Sequence, residues 1–100
     1  MRLEGKVAIV TGGGSGFGEG IAAKFVAEGA KVLIADRDRA GGERVVKALG
    51  ASARSVVADV SRGADVKAMI EAALDGFGRL DILVNNAGMG HLPQPLEGLG

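Results

Sequence analysis

The chain has 100 residues, which is the size of one ordinary domain or of part of a larger one. Twelve basic residues balance twelve acidic ones, so the net charge gives no reason to expect nucleic acid or an anionic membrane as a partner. The sequence has no cysteine, which excludes disulfide bonds, thiolate metal sites and cysteine nucleophiles, and its apolar runs are too short to span a bilayer. We expect a soluble, cytoplasmic protein.

The first predicted elements are a strand and a helix joined by a glycine-rich loop. Residues 6–11 form an apolar run without alternation, typical of a parallel strand covered on both faces, and the run stops at Gly12. Residues 16–28 carry larger apolar side chains at spacings of four or five, which predicts a helix with one buried stripe that ends near Gly29. The stripe consists of Phe17, Ile21, Phe25 and Val26.

The same unit then repeats along the chain. The further predicted elements are a strand at 31–36, a helix at 39–49 ended by Gly50, a strand at 55–58, a helix ended by Gly78 and a strand at 80–85. Ser61 is the expected N-cap of the third helix. The apolar side of that helix is expected to contain Val66, Met69, Ile70, Ala73 and Phe77.

Strands that alternate with helices predict an α/β fold of the Rossmann type, with a parallel sheet and right-handed crossovers. The expected strand order is 3-2-1-4, with the chain ending after the fourth strand, so that residues 1–100 would form a partial dinucleotide-binding domain. Ligands of such sheets bind at the carboxyl ends of the strands, beside the first and fourth strands.

The loop after the first strand reads Thr-Gly-Gly-Gly-Ser-Gly-Phe-Gly over residues 11–18. Backbone N–H groups at a helix N-terminus favour a phosphate, and Ser15 adds a hydroxyl donor. The dinucleotide pattern G-x-G-x-x-G fits in no register, and the P-loop pattern fails because Glu19 stands where lysine is needed. The spacing T-G-x-x-x-G-x-G does fit, with glycines at Gly12, Gly16 and Gly18.

Asp36 ends the second predicted strand, eighteen residues after Gly18. A dinucleotide fold places a carboxylate there to accept hydrogen bonds from the adenosine ribose hydroxyls. The carboxylate would repel a 2′-phosphate, which favours NAD over NADP. Arg37 beside it keeps NADP possible, and Asp36 is also a common residue type for a turn before a helix.

Two further motifs follow the third and fourth strands, namely Asp59-Val60 and Asn85-Asn86-Ala87-Gly88. Together with the loop spacing they resemble the short-chain dehydrogenase/reductase family, and the resemblance runs from residue 5 to residue 97. Within that family it extends to the 3-oxoacyl-carrier-protein reductase branch and to the sugar and steroid dehydrogenase branches. It implies a nicotinamide dinucleotide as cofactor.

The resemblance also implies roles for individual residues. Asp59 would reach the exocyclic amine of adenine and Val60 would pack on the ring, although Asp59 fits a helix-capping role equally well. Asn86, Ala87 and Gly88 would pass under the cofactor ribose. Asn85 has a structural alternative, because an amide at a sheet edge satisfies carbonyls that strands leave unpaired. The residues expected at the cofactor are Gly12, Ser15, Gly16, Phe17, Gly18, Asp36, Asp59, Val60, Asn86, Ala87 and Gly88.

The chemistry of the family uses a tyrosine, a lysine four residues after it, a serine and an asparagine, all downstream of N-N-A-G. This sequence contains no tyrosine, so we expect no catalytic residue here and no hydride transfer by these residues alone. His91 is expected to be a solvated loop residue, and no ligand cluster predicts a metal site. A fourth strand without a neighbour would leave an apolar edge, so we also expect a marginally stable or self-associating chain.

The expected function is therefore an oxidoreductase that interconverts a secondary alcohol and a ketone with NAD, represented by its cofactor-binding half. Intact relatives are expected to be homo-oligomers. One alternative is a non-catalytic NAD-binding module, which a gene that continues in frame into Y-x-x-x-K would argue against. Another is a methyltransferase, which the N-N-A-G motif disfavours.

Overall fold

A computed structural model describes residues 2–12, 16–59 and 62–85, and these residues form one parallel sheet with helices on both faces. The strands are β1 (Val7–Thr11), β2 (Lys31–Asp36), β3 (Ala53–Val57) and β4 (Ile82–Asn85). The helices are α1 (Gly16–Ala27), α2 (Arg39–Leu49) and α3 (Gly63–Phe77), with a short 3-10 helix at Gly50–Ser52. The strand order is β3-β2-β1-β4, which confirms the predicted fold class and topology.

Glycines end the helices where the sequence predicts. Gly29, Gly50 and Gly78 all have positive φ, between 83° and 94°, a region that side chains with a Cβ rarely adopt. The N–H of Gly78 donates to the carbonyl of Leu74 at 2.9 Å, so it satisfies a carbonyl that the end of α3 would otherwise leave unpaired. The stop signals of all three helices are therefore confirmed.

The core is divided by the sheet into two layers. On one face α1 and α2 pack on alternate residues of β1, β2 and β4, and the buried residues there are Ala8, Val10, Ala22, Val32, Ile34, Val45 and Val84. On the other face α3 covers Ile9, Leu33, Ala35 and Ala58 with its buried residues Met69 and Ala73. Both faces of β1 are buried, which explains why its sequence is apolar without alternation.

Helix α1 differs from the prediction in the residues that it buries. Phe17 is 73% exposed, so its place in the predicted buried stripe is wrong. The fully buried residues of α1 are Gly18 and Ala22, and the larger Ile21 and Phe25 are only half-buried. Small residues face the sheet because they let the helix approach it closely, and the bulky side chains then lie at the margin of the contact.

The predicted starts of three strands differ from the structure: β1 begins at Val7, one residue later than predicted, and β3 and β4 are each displaced by two residues. β3 begins at Ala53 instead of residue 55, and its middle residues Arg54 and Ser55 are exposed because β3 is an edge strand. β4 begins at Ile82, two residues later than predicted. The N-cap position of α3 is Arg62, which makes no side-chain capping bond, whereas Ser61 was expected there; Ser61 itself lies outside the described residues.

No helix in the described part of the chain is both long and apolar enough to cross a membrane.

Candidate functional site at the carboxyl edge of the sheet

The four strands are parallel, so their carboxyl ends lie along a single edge of the sheet. At this edge Thr11 of β1 is in register with Ala35 of β2 on one side and with Asn85 of β4 on the other. Asp36, the last residue of β2, is in register with Val57 at the end of β3. The fold therefore collects the chain segments that carry the predicted site residues along one side of the molecule.

The glycine loop begins with a backbone conformation that requires glycine. Gly12 has a φ of 67°, in the left-handed region, directly after β1. Its N–H donates to the carbonyl of Ala35 at 2.7 Å, so the turn is anchored to β2 as it leaves the sheet. The chain thus bends sharply at the point where the predicted phosphate-binding loop starts.

The first turn of α1 leaves open space on its outer side. A Cβ built on Gly16 would meet no other atom within 4 Å, so the packing of the protein does not itself require glycine there. Phe17 is largely exposed, and it borders an apolar depression of about 520 Å³ on α1. The other lining residues are Gly16, Gly20, Ile21, Lys24 and Phe25.

Asp36 is half-buried, and hydrogen bonds from Asp38 and Ala58 help to fix its position. Its Oδ1 accepts a hydrogen bond from the backbone N–H of Asp38 at 2.8 Å, across the turn into α2. Its carbonyl accepts one from the N–H of Ala58 at 3.0 Å, which joins the end of β2 to the segment after β3. The negative charge of the carboxylate is therefore held at the carboxyl edge.

Asp59 lies in the connection from β3 to α3, where its backbone makes two defined hydrogen bonds. The carboxylate of Asp65, in the first turn of α3, accepts the Asp59 N–H at 2.9 Å. The carbonyl of Asp59 accepts the N–H of Arg62 at 2.9 Å. The backbone at Asp59 is thereby tied to the start of α3. The sequence alone did not predict that Asp65 would accept this hydrogen bond.

Asn85 and Thr11 join β4 to β1. Thr11 is only 1% exposed, and its Oγ1 lies 3.2 Å from both the Val84 carbonyl and the Oδ1 of Asn85. The hydroxyl therefore donates to groups at the end of β4. The contact gives Asn85 a structural role, although through an Oδ1 that accepts from Thr11 and not through an amide that donates to an unpaired carbonyl. The sequence alone did not indicate Thr11 as a participant.

The opposite edge of the sheet has its own polar contact, which lies away from these residues. The Asp81 carboxylate accepts hydrogen bonds from the N–H of Val7 at 2.9 Å and from Arg79 at 2.8 and 2.7 Å. The hydrogen bond from Arg79, followed by that from the Val7 backbone, lowers the pKa of Asp81 below its usual value. This contact fixes the amino ends of β1 and β4.

The structure describes six of the eleven residues expected at the cofactor. Gly12, Gly16, Phe17, Gly18, Asp36 and Asp59 lie on segments that the carboxyl edge brings together, with Gly18 buried inside α1. The other five lie outside the described residues, namely Ser15, Val60, Asn86, Ala87 and Gly88. Among residues 2–12, 16–59 and 62–85, no group of three histidine, cysteine, aspartate or glutamate side chains is placed to hold a metal ion.

Comparison with known proteins identifies the family. The family model described as short chain dehydrogenase matches residues 6–98. The chain belongs to the short chain dehydrogenase family. Its recognition from the glycine loop, the Asp-Val pair and the N-N-A-G motif is thus confirmed.

Individual members of the short chain dehydrogenase family resemble the chain over nearly its whole length. It is 44% identical to galactitol 2-dehydrogenase of Agrobacterium fabrum over 99 residues, which are 99% of this chain and 38% of that protein. It is 46% identical to L-fucose dehydrogenase of Bos taurus over 93 residues, which are 93% of this chain and 34% of that protein. The chain therefore spans little more than a third of the length of these relatives.

Solved structures of family members have the same fold. The 3-ketoacyl-(acyl-carrier-protein) reductase of Brucella melitensis, complexed with NADH, is 62% identical with a TM-score of 0.84, over 95% of this chain and 39% of that one. A short chain dehydrogenase/reductase of Burkholderia phymatum, in complex with NAD, is 43% identical with a TM-score of 0.78, over 83% of this chain and 31% of that one. Both neighbours are complexes with a nicotinamide dinucleotide.

Proposed function

We propose that this chain binds a nicotinamide dinucleotide along the carboxyl edge of its sheet, as the cofactor-binding part of a short chain dehydrogenase. The single observation that carries the proposal is the alignment of the glycine turn at Gly12 with the carboxylate of Asp36 at the ends of neighbouring strands. The open space over Gly16 supports it. Protein packing does not require glycine at this position, and the absence of a side chain leaves room for a ligand to approach the backbone. The NADH and NAD complexes of the similar structures agree with it.

We further propose NAD(H) as the preferred cofactor, with NADP(H) bound less tightly. The Asp36 carboxylate would accept hydrogen bonds from the adenosine ribose hydroxyls. A 2′-phosphate would bring a second negative group against the same carboxylate, and like charges in contact cost several kcal/mol at a desolvated interface. The hydrogen bond from the Asp38 N–H to Asp36 supports this preference, because it limits how far the Asp36 carboxylate can rotate away from a bound 2′-phosphate.

The remaining roles follow the family resemblance and stay predictions. Ser15 and the start of α1 would hold the pyrophosphate. Phe17, at the start of α1 with its ring exposed, is also expected at the cofactor. Asp59 and Val60 would surround the adenine. Residues 86–88 would pass under the cofactor ribose.

For the whole protein we propose oxidation of a secondary alcohol to a ketone, or the reverse reduction, with the nicotinamide ring as hydride acceptor or donor. The dehydrogenase and ketoacyl reductase names of the similar proteins support this reaction class. We also propose that these 100 residues do not transfer hydride alone, because they contain no tyrosine to serve as the acid or base. A cytoplasmic location and a homo-oligomeric full-length protein also remain predictions.

The test is a fluorescence titration of the purified chain with NADH and with NADPH, repeated with Asp36→Asn. Asparagine keeps an oxygen that accepts the Asp38 N–H but removes the charge, so the turn is preserved while the repulsion of a 2′-phosphate is lost. We expect the NADH preference of the wild type to fall by at least about tenfold in the variant, since each tenfold change corresponds to about 1.4 kcal/mol.

Asp75→Asn is the matched control, since it removes the same charge from the exposed side of α3. It should leave the ratio of the two affinities unchanged. An Asp36→Asn variant that keeps the wild-type preference would contradict the role of Asp36. A folded wild-type chain that binds neither nucleotide would contradict the cofactor function of this chain by itself.

A further inference from the structure

Among the described residues, three hydrogen bonds help to hold the connection between β3 and α3, and one of these three depends on a side chain. The N–H of Ala58 donates to the Asp36 carbonyl, and the N–H of Arg62 donates to the Asp59 carbonyl. Between them, the N–H of Asp59 donates to the Asp65 carboxylate at 2.9 Å in a half-buried position. A substitution at residue 65 therefore removes one link from this connection and leaves the two backbone links in place.

We propose that Asp65 is a positioning residue for the adenosine end of the dinucleotide. The inference rests on the proposed cofactor function, and it concerns a residue that does not itself touch the cofactor. Asp65 holds the backbone of Asp59, while the adjacent Ala58 is bonded to the backbone of Asp36. It therefore helps to set the spacing between the Asp36 and Asp59 carboxylates.

The first turn of α3 makes Asp65 suitable for this task. Arg62, at the N-cap position, makes no side-chain capping bond to the first turn of α3. The N–H groups of Asp65 and Val66 both donate to the Arg62 carbonyl, at 3.0 and 3.1 Å. Val66 packs against the core layer under α3, which makes this first turn a rigid support.

Charge also favours an acid at this position. A carboxylate in the first turn of a helix interacts favourably with the positive end of the helix dipole. A hydrogen bond from a backbone N–H to a carboxylate is stronger than one to a neutral acceptor. Both effects hold the carboxylate of Asp65 against the Asp59 N–H.

The first measurement is amide hydrogen exchange at Asp59 in the chain without nucleotide. Asp65→Ala removes the acceptor, so exchange at Asp59 should accelerate by about tenfold, the factor that corresponds to the loss of one capping bond. Asp65→Asn keeps an acceptor oxygen and should restore most of the protection. Equal exchange in the wild type and in Asp65→Ala would overturn the assignment without involving any ligand.

The second measurement is the affinity for AMP and for NADH. Asp65→Ala should weaken both by a similar factor of about three to ten, because AMP contains only the adenosine end. Asp65→Asn should bind within about twofold of the wild type. The control is Ala68→Gly, an exposed position of α3 where glycine lowers helix stability without touching the connection.

The outcomes separate the two proposals. Weaker nucleotide binding in Asp65→Ala, with unchanged binding in Ala68→Gly at a similar melting temperature, supports a positioning role. Equal loss in both variants would overturn it in favour of a role in helix stability alone. A wild-type chain with a protected Asp59 amide that binds neither AMP nor NADH would overturn the cofactor function, and the positioning role with it.

Discussion

Single residues at the carboxyl edge differ in how much of their role the sequence reveals. Gly12 and Asp36 follow apolar runs directly, so their place at strand ends could be read from neighbouring residues. Asp65 and Thr11 act through contacts whose partners are set by the fold. The Thr11 hydroxyl meets Asn85, which is 74 residues away along the chain, and no local pattern announces such a contact.

The positive φ of Gly12 leads to a stability prediction. Gly12→Ala should lower the free energy of unfolding by about 1 to 2 kcal/mol, because a residue with a Cβ is strained in the left-handed region. Urea denaturation followed by circular dichroism measures this change.

Gly20→Ala is the matched control for that experiment. Gly20 lies inside α1, where an added Cβ meets no atom within 4 Å, so alanine should stabilise the chain by about 1 kcal/mol. A Gly12→Ala variant as stable as the wild type would show that the turn after β1 does not require glycine.

Elements were predicted best where both of their ends have clear signals. β2 and α2 were predicted with the observed bounds, since Asp36 and Gly50 mark where they end. β3 was predicted too short because its residues Arg54 and Ser55 are polar and exposed, so the strand lacks a long apolar run. In α1 the buried residues are small, whereas the spacing of large apolar side chains indicated Phe17 instead.

The contact between the amino ends of β1 and β4 predicts a dependence of stability on pH. The folded pKa of Asp81 is lowered, mainly by its hydrogen bond from Arg79, so the folded state binds this proton less readily than the unfolded state. Its contribution is fully present above the unfolded pKa, near the usual value of 3.8, and is lost as the pH falls through the lower folded value.

Asp81→Asn tests this dependence. Melting temperatures of the wild type and the variant, measured from pH 7 down to about pH 2, should differ by a constant amount above about pH 5 and begin to converge only below about pH 4. The control Asp75→Asn should follow the wild type over the whole range. A constant difference between Asp81→Asn and the wild type at every pH would mean that ionisation of Asp81 contributes nothing to stability.

For the whole molecule, the alternation of strands and helices was sufficient to predict the sheet order and the edge where the motifs meet. Chain order alone places Gly12, Asp36, Asp59 and Asn85 far apart, and the parallel topology brings their segments together. The outer side of β4 pairs with no other strand among the described residues. The expected self-association at that apolar edge remains a prediction.

The most direct test of the central claim is to map the NADH contacts by the amide chemical shifts of the isotope-labelled chain. We expect shift changes at Gly12, Gly16, Asp36 and Asp59, on the segments at the carboxyl edge, and none at Val7 or Asp81 on the opposite edge. Changes centred on the opposite edge, or no change at saturating NADH in a folded chain, would contradict the assignment of a dinucleotide site to the carboxyl edge.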